Sequence, residues 1–206
     1  ALLGYTWLDL VAALIVGFMV AKIGWDLGWG AMRELVDEAL DEEKVEVIRQ
    51  AITDLPGVSS IHMLRTRRQG HEAMADVHVQ VAPWISVSEG HMISLAVEEK
   101  IKDAVPEVTD ITVHIDPEND EKQPSCKGLP LRERLLEQLR EDWAEIGCLG
   151  REERILLHYL GGRIDVEVFF PLDCYGGEQA AARLRQEMAD AIAGRSYLGE
   201  LKLYYG

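Results

Sequence analysis

"ADVHVQV", residues 75–81, alternates aliphatic and polar side chains with a period of two. That period belongs to a β-strand whose two faces meet different surroundings. Val77, Val79 and Val81 point one way, to be covered by helices, and Asp76, His78 and Gln80 point the other way. The same word returns near the C-terminus as "RIDVEVF", residues 163–169, with Asp165 opposite Asp76 and Glu167 opposite His78. A strand that recurs with its pattern intact invites a search for a repeated unit around it.

Working outward from residues 75–81, the pattern predicts a strand near 59–67, a turn at Gly70, a strand near 73–82, a helix from Ser86 to Ala104 and a strand over 110–116. Ser86 and Glu89 form a capping box for that helix, and Ile93, Ala96, Val97 and Ile101 form its apolar stripe. Ahead of the first strand, "MRELVDEALDEEKVEVIRQAI" has helical period, broken by an acidic cluster in which Asp41 is a suitable N-cap, and it stops at "LPGV", residues 55–58. The order is αββαβ. After the polar, three-proline segment "PENDEKQPSCKGLP", residues 117–130, the order returns: a helix over 131–147, strands over 154–160 and 163–170 joined at Gly161 and Gly162, a helix over 178–194 and a strand over 200–205. The expected fold is therefore α+β: two ferredoxin-like αββαβ domains, the second a degenerate repeat, behind an N-terminal transmembrane helix. The expected boundaries are 1–38 for that helix and its exit linker, 39–119 and 131–206 for the two domains, and 120–130 for the linker between them.

The transmembrane expectation rests on the first 30 residues. Between Asp9 and Lys22 lie twelve apolar residues, LVAALIVGFMVA, fewer than the roughly 20 a span needs. Trp7 and Trp25 extend the reach to about 27 Å of helix with an interface-seeking indole at each end. No basic n-region or small-residue cleavage site marks a secretory leader. Lys22 and Arg33 at the far end place the C-terminal bulk of the chain on the cytoplasmic side.

Composition narrows the partners. The 206 residues are 48% hydrophobic, enough to fill a core, and 36 acidic against 21 basic residues leave a formal net charge of -15, which repels nucleic acid and attracts cations. The three cysteines, Cys126, Cys148 and Cys174, show no CxxC spacing and indicate a reducing compartment. No serine or cysteine sits in a nucleophile motif. "RTRRQG", residues 65–70, is a basic knot for which a solvated hairpin or salt bridges to the acidic cluster suffice.

Histidine carries the chemistry. Of six, four fall at informative positions: His62 on the first strand, His78 on the second, His91 in the first turn of the long helix and His114 on the third strand. His114 and Asp116 are two apart on "TVHID" and share a face. A lone histidine on a sheet is ordinarily an interfacial polar residue. Four of them with a carboxylate, on separate elements and missing from the repeat, suit a borderline divalent metal such as zinc. On the repeat alignment His91 meets Ala180 and His114 meets Tyr204, so the fold alone does not demand them. A metal-activated water with Asp76 or Asp116 as base would be the one hydrolytic option, and the reading taken is a protein that is not an enzyme.

These residues resemble the cation diffusion facilitator family. "WLDLVAALIVGFMVAKIGWDLGWGAMRELVDEAL" is similar to its last membrane helix and exit linker, and "LPGVSSIHMLRTRRQG", "ADVHVQV", "SEGHMISLAVEEKI" and "DITVHIDPE" are similar to its cytoplasmic domain in order and spacing. The resemblance covers residues 5 to 119. It implies a membrane transporter exchanging a cytoplasmic divalent metal for protons, whose cytoplasmic domains form a homodimer and bind metal near the interface. It implies His62, His78, His114 and Asp116 as ligands with His91 beside them, a charge interlock at Asp37, and membrane lipid as surroundings. The metal expected is Zn2+, with Fe2+, Co2+, Cd2+ and Mn2+ also compatible. Met63 stands where the family commonly has aspartate. The family's other five membrane helices have no counterpart here, so the expectation is a fragment of a transporter or a single-span relative. The alternatives are a membrane-anchored metal sensor or buffer without transport, a metal-dependent hydrolase, and a pair of domains serving dimerisation alone.

Overall fold

The computed structural model describes residues 6–35, 38–119, 122–148 and 150–206. Helix α1 runs over Thr6–Leu35, and its stretch Trp7–Met32 is 26 residues long, apolar enough to cross a membrane and wholly unburied within the structure. At 1.5 Å per residue that stretch reaches about 39 Å, beyond the roughly 30 Å of hydrocarbon. Phe18, Leu27 and Trp25 are at least 70% exposed. Side chains of this kind left bare in water carry a heavy hydration cost, so this helix requires cover of its own. The acidic linker residue Asp37 lies outside the described residues.

The chain divides into two compact units, residues 1–79 with 91–114 and residues 80–90 with 115–206. The division crosses β2 and β3 near their ends, while those strands run unbroken to Gln80 and Asp116.

The first sheet has the order β1-β2-β3, from Ser60–Gln69, Glu72–Gln80 and Val108–Asp116. Gly70, at φ 65, makes the tight turn between β1 and β2, a backbone state that costs glycine nothing. Ala73 donates its N–H to the Glu107 carbonyl and Val81 to that of Asp116, so β2 and β3 run parallel. Helix α2, Glu42–Thr53, buries Ile48 and Ile52, four apart on one stripe, and α3, Val87–Ala104, buries Val97 and Ile101 in the same way. The aliphatic face of β2 is buried as its alternation requires: Ala73, Ala75, Val77 and Val79 are all at 1% exposure or less. The expected capping of α3 is present, with the Glu89 N–H donating to Ser86 Oγ at 3.1 Å. Asp41 occupies the N-cap position of α2 but makes no side-chain cap; its backbone carbonyl accepts from Lys44 and Val45 instead.

The second sheet repeats the arrangement as β4-β5-β6, from Arg154–Leu160, Arg163–Phe170 and Leu198–Tyr205, with α4 at Arg132–Asp142 and α5 at Glu178–Ile192. β4 and β5 pair antiparallel, from Arg154 opposite Phe169 to Leu160 opposite Arg163, and β5 pairs parallel with β6. The two-residue loop between β4 and β5, Gly161 and Gly162, has both φ angles positive, the requirement of a type I′ hairpin. Leu135, Leu139, Trp143, Ile164, Val166, Val168, Phe170 and Met188 form a closed core, and the Trp143 indole N–H is satisfied by the Met188 carbonyl at 3.0 Å.

Candidate metal centre

The polar face of β2 carries Asp76, His78 and Gln80, the residues that alternate with the buried aliphatic set. Because β2 is central, whatever β1 and β3 place at the same level flanks His78 on both sides. β1 places His62 there and β3 places His114. The His62 and His78 rings lie 5.3 Å apart edge to face, and the His78 and His114 rings lie 4.5 Å apart, 30° from parallel. Three imidazoles thus form a row across three strands.

Asp116 completes the group from the last position of β3. The ligand-capable atoms of His62, His78 and Asp116 all lie within 4.8 Å of one another. Among the described residues this is the group of histidine, cysteine or carboxylate side chains so disposed. His62 and His78 are half-buried and His114 is exposed, in keeping with an open sheet face. Asp116 differs from that expectation, being only 2% exposed. A carboxylate this deep is stable as an ion only against donors or a cation.

Two imidazoles and a carboxylate make a borderline nitrogen and oxygen donor set, suited to zinc and its neighbours. Ligand atoms around one ion at about 2.1 Å stand roughly 3.4 Å apart in a tetrahedron, so the existing spacing fits a divalent ion after rotamer adjustments of about an ångström.

The remaining candidates fall elsewhere. His91 is exposed in the first turn of α3 and outside this group; its carbonyl accepts the Ser94 hydroxyl at 2.8 Å. Asp76 is held by Arg67 at 3.3 Å, which occupies one residue of "RTRRQG" and leaves Asp76 ill suited as a catalytic base. Arg68 joins Lys44 on Glu107, at 3.2 and 2.8 Å, tying β1 and α2 to the residue before β3. This pairing holds the Glu107 carboxyl below its ordinary range, chiefly through the Lys44 hydrogen bond. In the second sheet the counterpart of His78 is Glu167, whose carboxylate lies 3.5 Å from His158 Nε2 on β4. His158 therefore has a neighbour that residue-by-residue reading did not supply; only the register of β4 on β5 reveals it.

Residues 40–118 match the family model described as "Cation efflux protein, cytoplasmic domain". Metal tolerance protein C1 of Arabidopsis thaliana is 39% identical over 117 residues, 57% of this chain and 25% of that protein. Magnetosome protein MamB of Magnetospirillum gryphiswaldense is 32% identical over 117 residues, 57% of this chain and 39% of that protein. The cation-efflux pump FieF of Escherichia coli is 31% identical over 120 residues, 56% of this chain and 40% of that pump. Among solved structures the MamM-CTD is similar to 37% of this chain over 98% of its own length, at 26% identity and a TM-score of 0.36. The chain spans well under half the length of the curated relatives it matches. Residues 40–118 are therefore similar to the cytoplasmic domain of cation efflux proteins.

Proposed function

We propose that this chain is the last membrane helix and cytoplasmic regulatory part of a divalent-metal efflux transporter working by metal/proton antiport. The observation that carries the reading is the convergence of His62, His78 and Asp116 on one end of a cation efflux cytoplasmic domain. In this reading His62, His78 and Asp116 hold the ion, His114 supports or replaces a ligand from its stacked position beside His78, and His91 serves at the rim. A bound divalent ion supplies positive charge to a chain with a formal charge of -15. Asp116 and the acidic surface then repel a second copy less, and two protomers close, biasing the membrane part toward transport. Residues 39–119 form the metal-binding domain and 131–206 the second αββαβ domain, joined by the linker at 120–130. The metal is zinc or a neighbour of similar softness, and the bulk of the chain lies on the cytoplasmic side of a cell membrane.

Isothermal calorimetry with Zn2+ at neutral pH tests this reading. The chain should bind zinc, and the double variant His78→Ala with His114→Ala should lose most of that affinity. Absence of zinc binding, or equal binding by the double variant, would overturn the assignment.

A further inference from the structure

The segment that leaves the candidate metal centre is fastened to the hairpin of the second sheet. Asp116 ends β3, and Pro117 and Glu118 come directly after it. Glu118, half-buried, turns both carboxylate oxygens onto one backbone N–H, that of Gly161, at 2.8 and 3.1 Å. Gly161 opens the two-residue loop between β4 and β5. The ladder pairs Leu160 with Arg163, so the Gly161 N–H lies outside the strand pairing and needs an acceptor from elsewhere. A charged acceptor makes about twice the bond that a neutral one does. The residues that follow lie along the same hairpin: a Cβ added to Gly162 would come within 3.0 Å of the Pro124 Cβ, and the Tyr159 hydroxyl donates to the Pro130 carbonyl at 2.9 Å. Asp116, Glu118 and the hairpin all belong to one compact unit. The run from Asp116 to Glu118 is also stiff. The Asp116 main-chain carbonyl accepts from the Val81 N–H at 2.9 Å, the residue is 2% exposed, and Pro117 fixes its own φ. A restraint placed on Asp116 therefore meets few soft torsions before it reaches Glu118.

We infer that Glu118 is a positioning residue that couples the metal centre to the β4–β5 hairpin: an ion held by Asp116 tightens the bond from the Gly161 N–H to Glu118, and that bond in turn strengthens ion binding. The coupling rests on the metal-binding reading of His62, His78 and Asp116 given above. Ligation restrains Asp116 and, through Pro117, the backbone of Glu118, so the carboxylate leaves Gly161 less often. Coupling between two equilibria is reciprocal. The factor by which the ion suppresses opening of the bond equals the factor by which loss of the bond weakens ion binding. The hairpin of the second sheet thereby responds to metal without supplying a ligand of its own.

The test follows amide hydrogen exchange by NMR in the 206-residue chain, labelled with 15N-glycine and held in detergent, with and without Zn2+ at neutral pH, beside calorimetry of zinc binding. Exchange at Gly161 should slow by about fivefold or more when zinc is bound. Exchange at Gly206, whose N–H donates to the Phe170 carbonyl at 3.1 Å in the same unit, should not change. Glu118→Ala should exchange fast at Gly161 with or without zinc and bind zinc more weakly by the same factor, and Glu118→Gln, which keeps a carbonyl acceptor, should restore the slowing. Zinc binding with no change at Gly161, faster exchange there, or equal slowing at Gly206 would overturn the coupling and leave the metal site standing. No zinc binding at all would overturn both. The parent chain alone yields each of these outcomes, so a poorly folding variant does not obscure them.

Discussion

His78 stands in the middle of a row of imidazoles, 5.3 Å from the His62 ring and 4.5 Å from that of His114. Replacing it removes the ring that neighbours both of the other two. His78→Ala should weaken zinc binding at least tenfold, about 1.4 kcal/mol, whereas His91→Ala, outside the group, should change it less than twofold; competition with a chromophoric chelator separates the two. Strand parity was legible in the sequence and correctly placed His78 opposite Val77 and Val79. The depth of Asp116 was not, because burial depends on what covers the end of a strand and not on the strand's own alternation. Glu107 supports a second expectation. Its carboxyl is held below the ordinary range by Lys44 first and Arg68 next. A lowered folded-state value means that its contribution is present above the unfolded value near 4.3 and is lost as pH falls through the folded one. Acid unfolding of Glu107→Gln, followed by circular dichroism, should therefore show a shallower loss of stability below pH 4.3 than the parent.

Among the elements, α3 has a start that sequence alone located to within one residue. Ser86 caps the Glu89 N–H at 3.1 Å, and the helix begins at Val87. Ser86→Ala should cost about 1 kcal/mol, read as a lower denaturant midpoint with unchanged slope, and the metal affinity should stay as it was. A capping signal is local, carried within four residues, which explains its legibility. The N-cap of α2 shows the limit of such signals. Asp41 sits at the right position but its carboxylate makes no cap bond; just before it the chain is tied to β1, the Arg68 N–H donating to the Glu38 carbonyl and the Leu40 N–H to Thr66 Oγ1. Gly57 shows the tertiary side of a turn residue. At φ 93 it lies against Ile93, where an added Cβ would come within 2.8 Å of Cδ1. Proline and glycine in "LPGV" announced the stop of α2; the close approach of α3 required the fold.

For the molecule as a whole, binding and folding are linked. Zinc held by the native site alone adds about 2.7 kcal/mol at a concentration one hundred times its Kd. Thermal unfolding should therefore shift upward with zinc in the parent chain and stay fixed in the double variant His62→Ala with His78→Ala; an equal shift in both would assign the zinc to other residues. The sequence by itself determined the apolar first helix, the αββαβ order and its repetition, and the face on which each strand histidine points. All of these are properties of periodicity along the chain. Only the tertiary structure decided which of those histidines meet. The order β1-β2-β3 brings ligand-capable atoms of His62, His78 and Asp116 within 4.8 Å of one another and leaves His91 outside. Sheet order joins residues far apart in the chain through backbone hydrogen bonds that every residue type makes alike, so no local pattern records it.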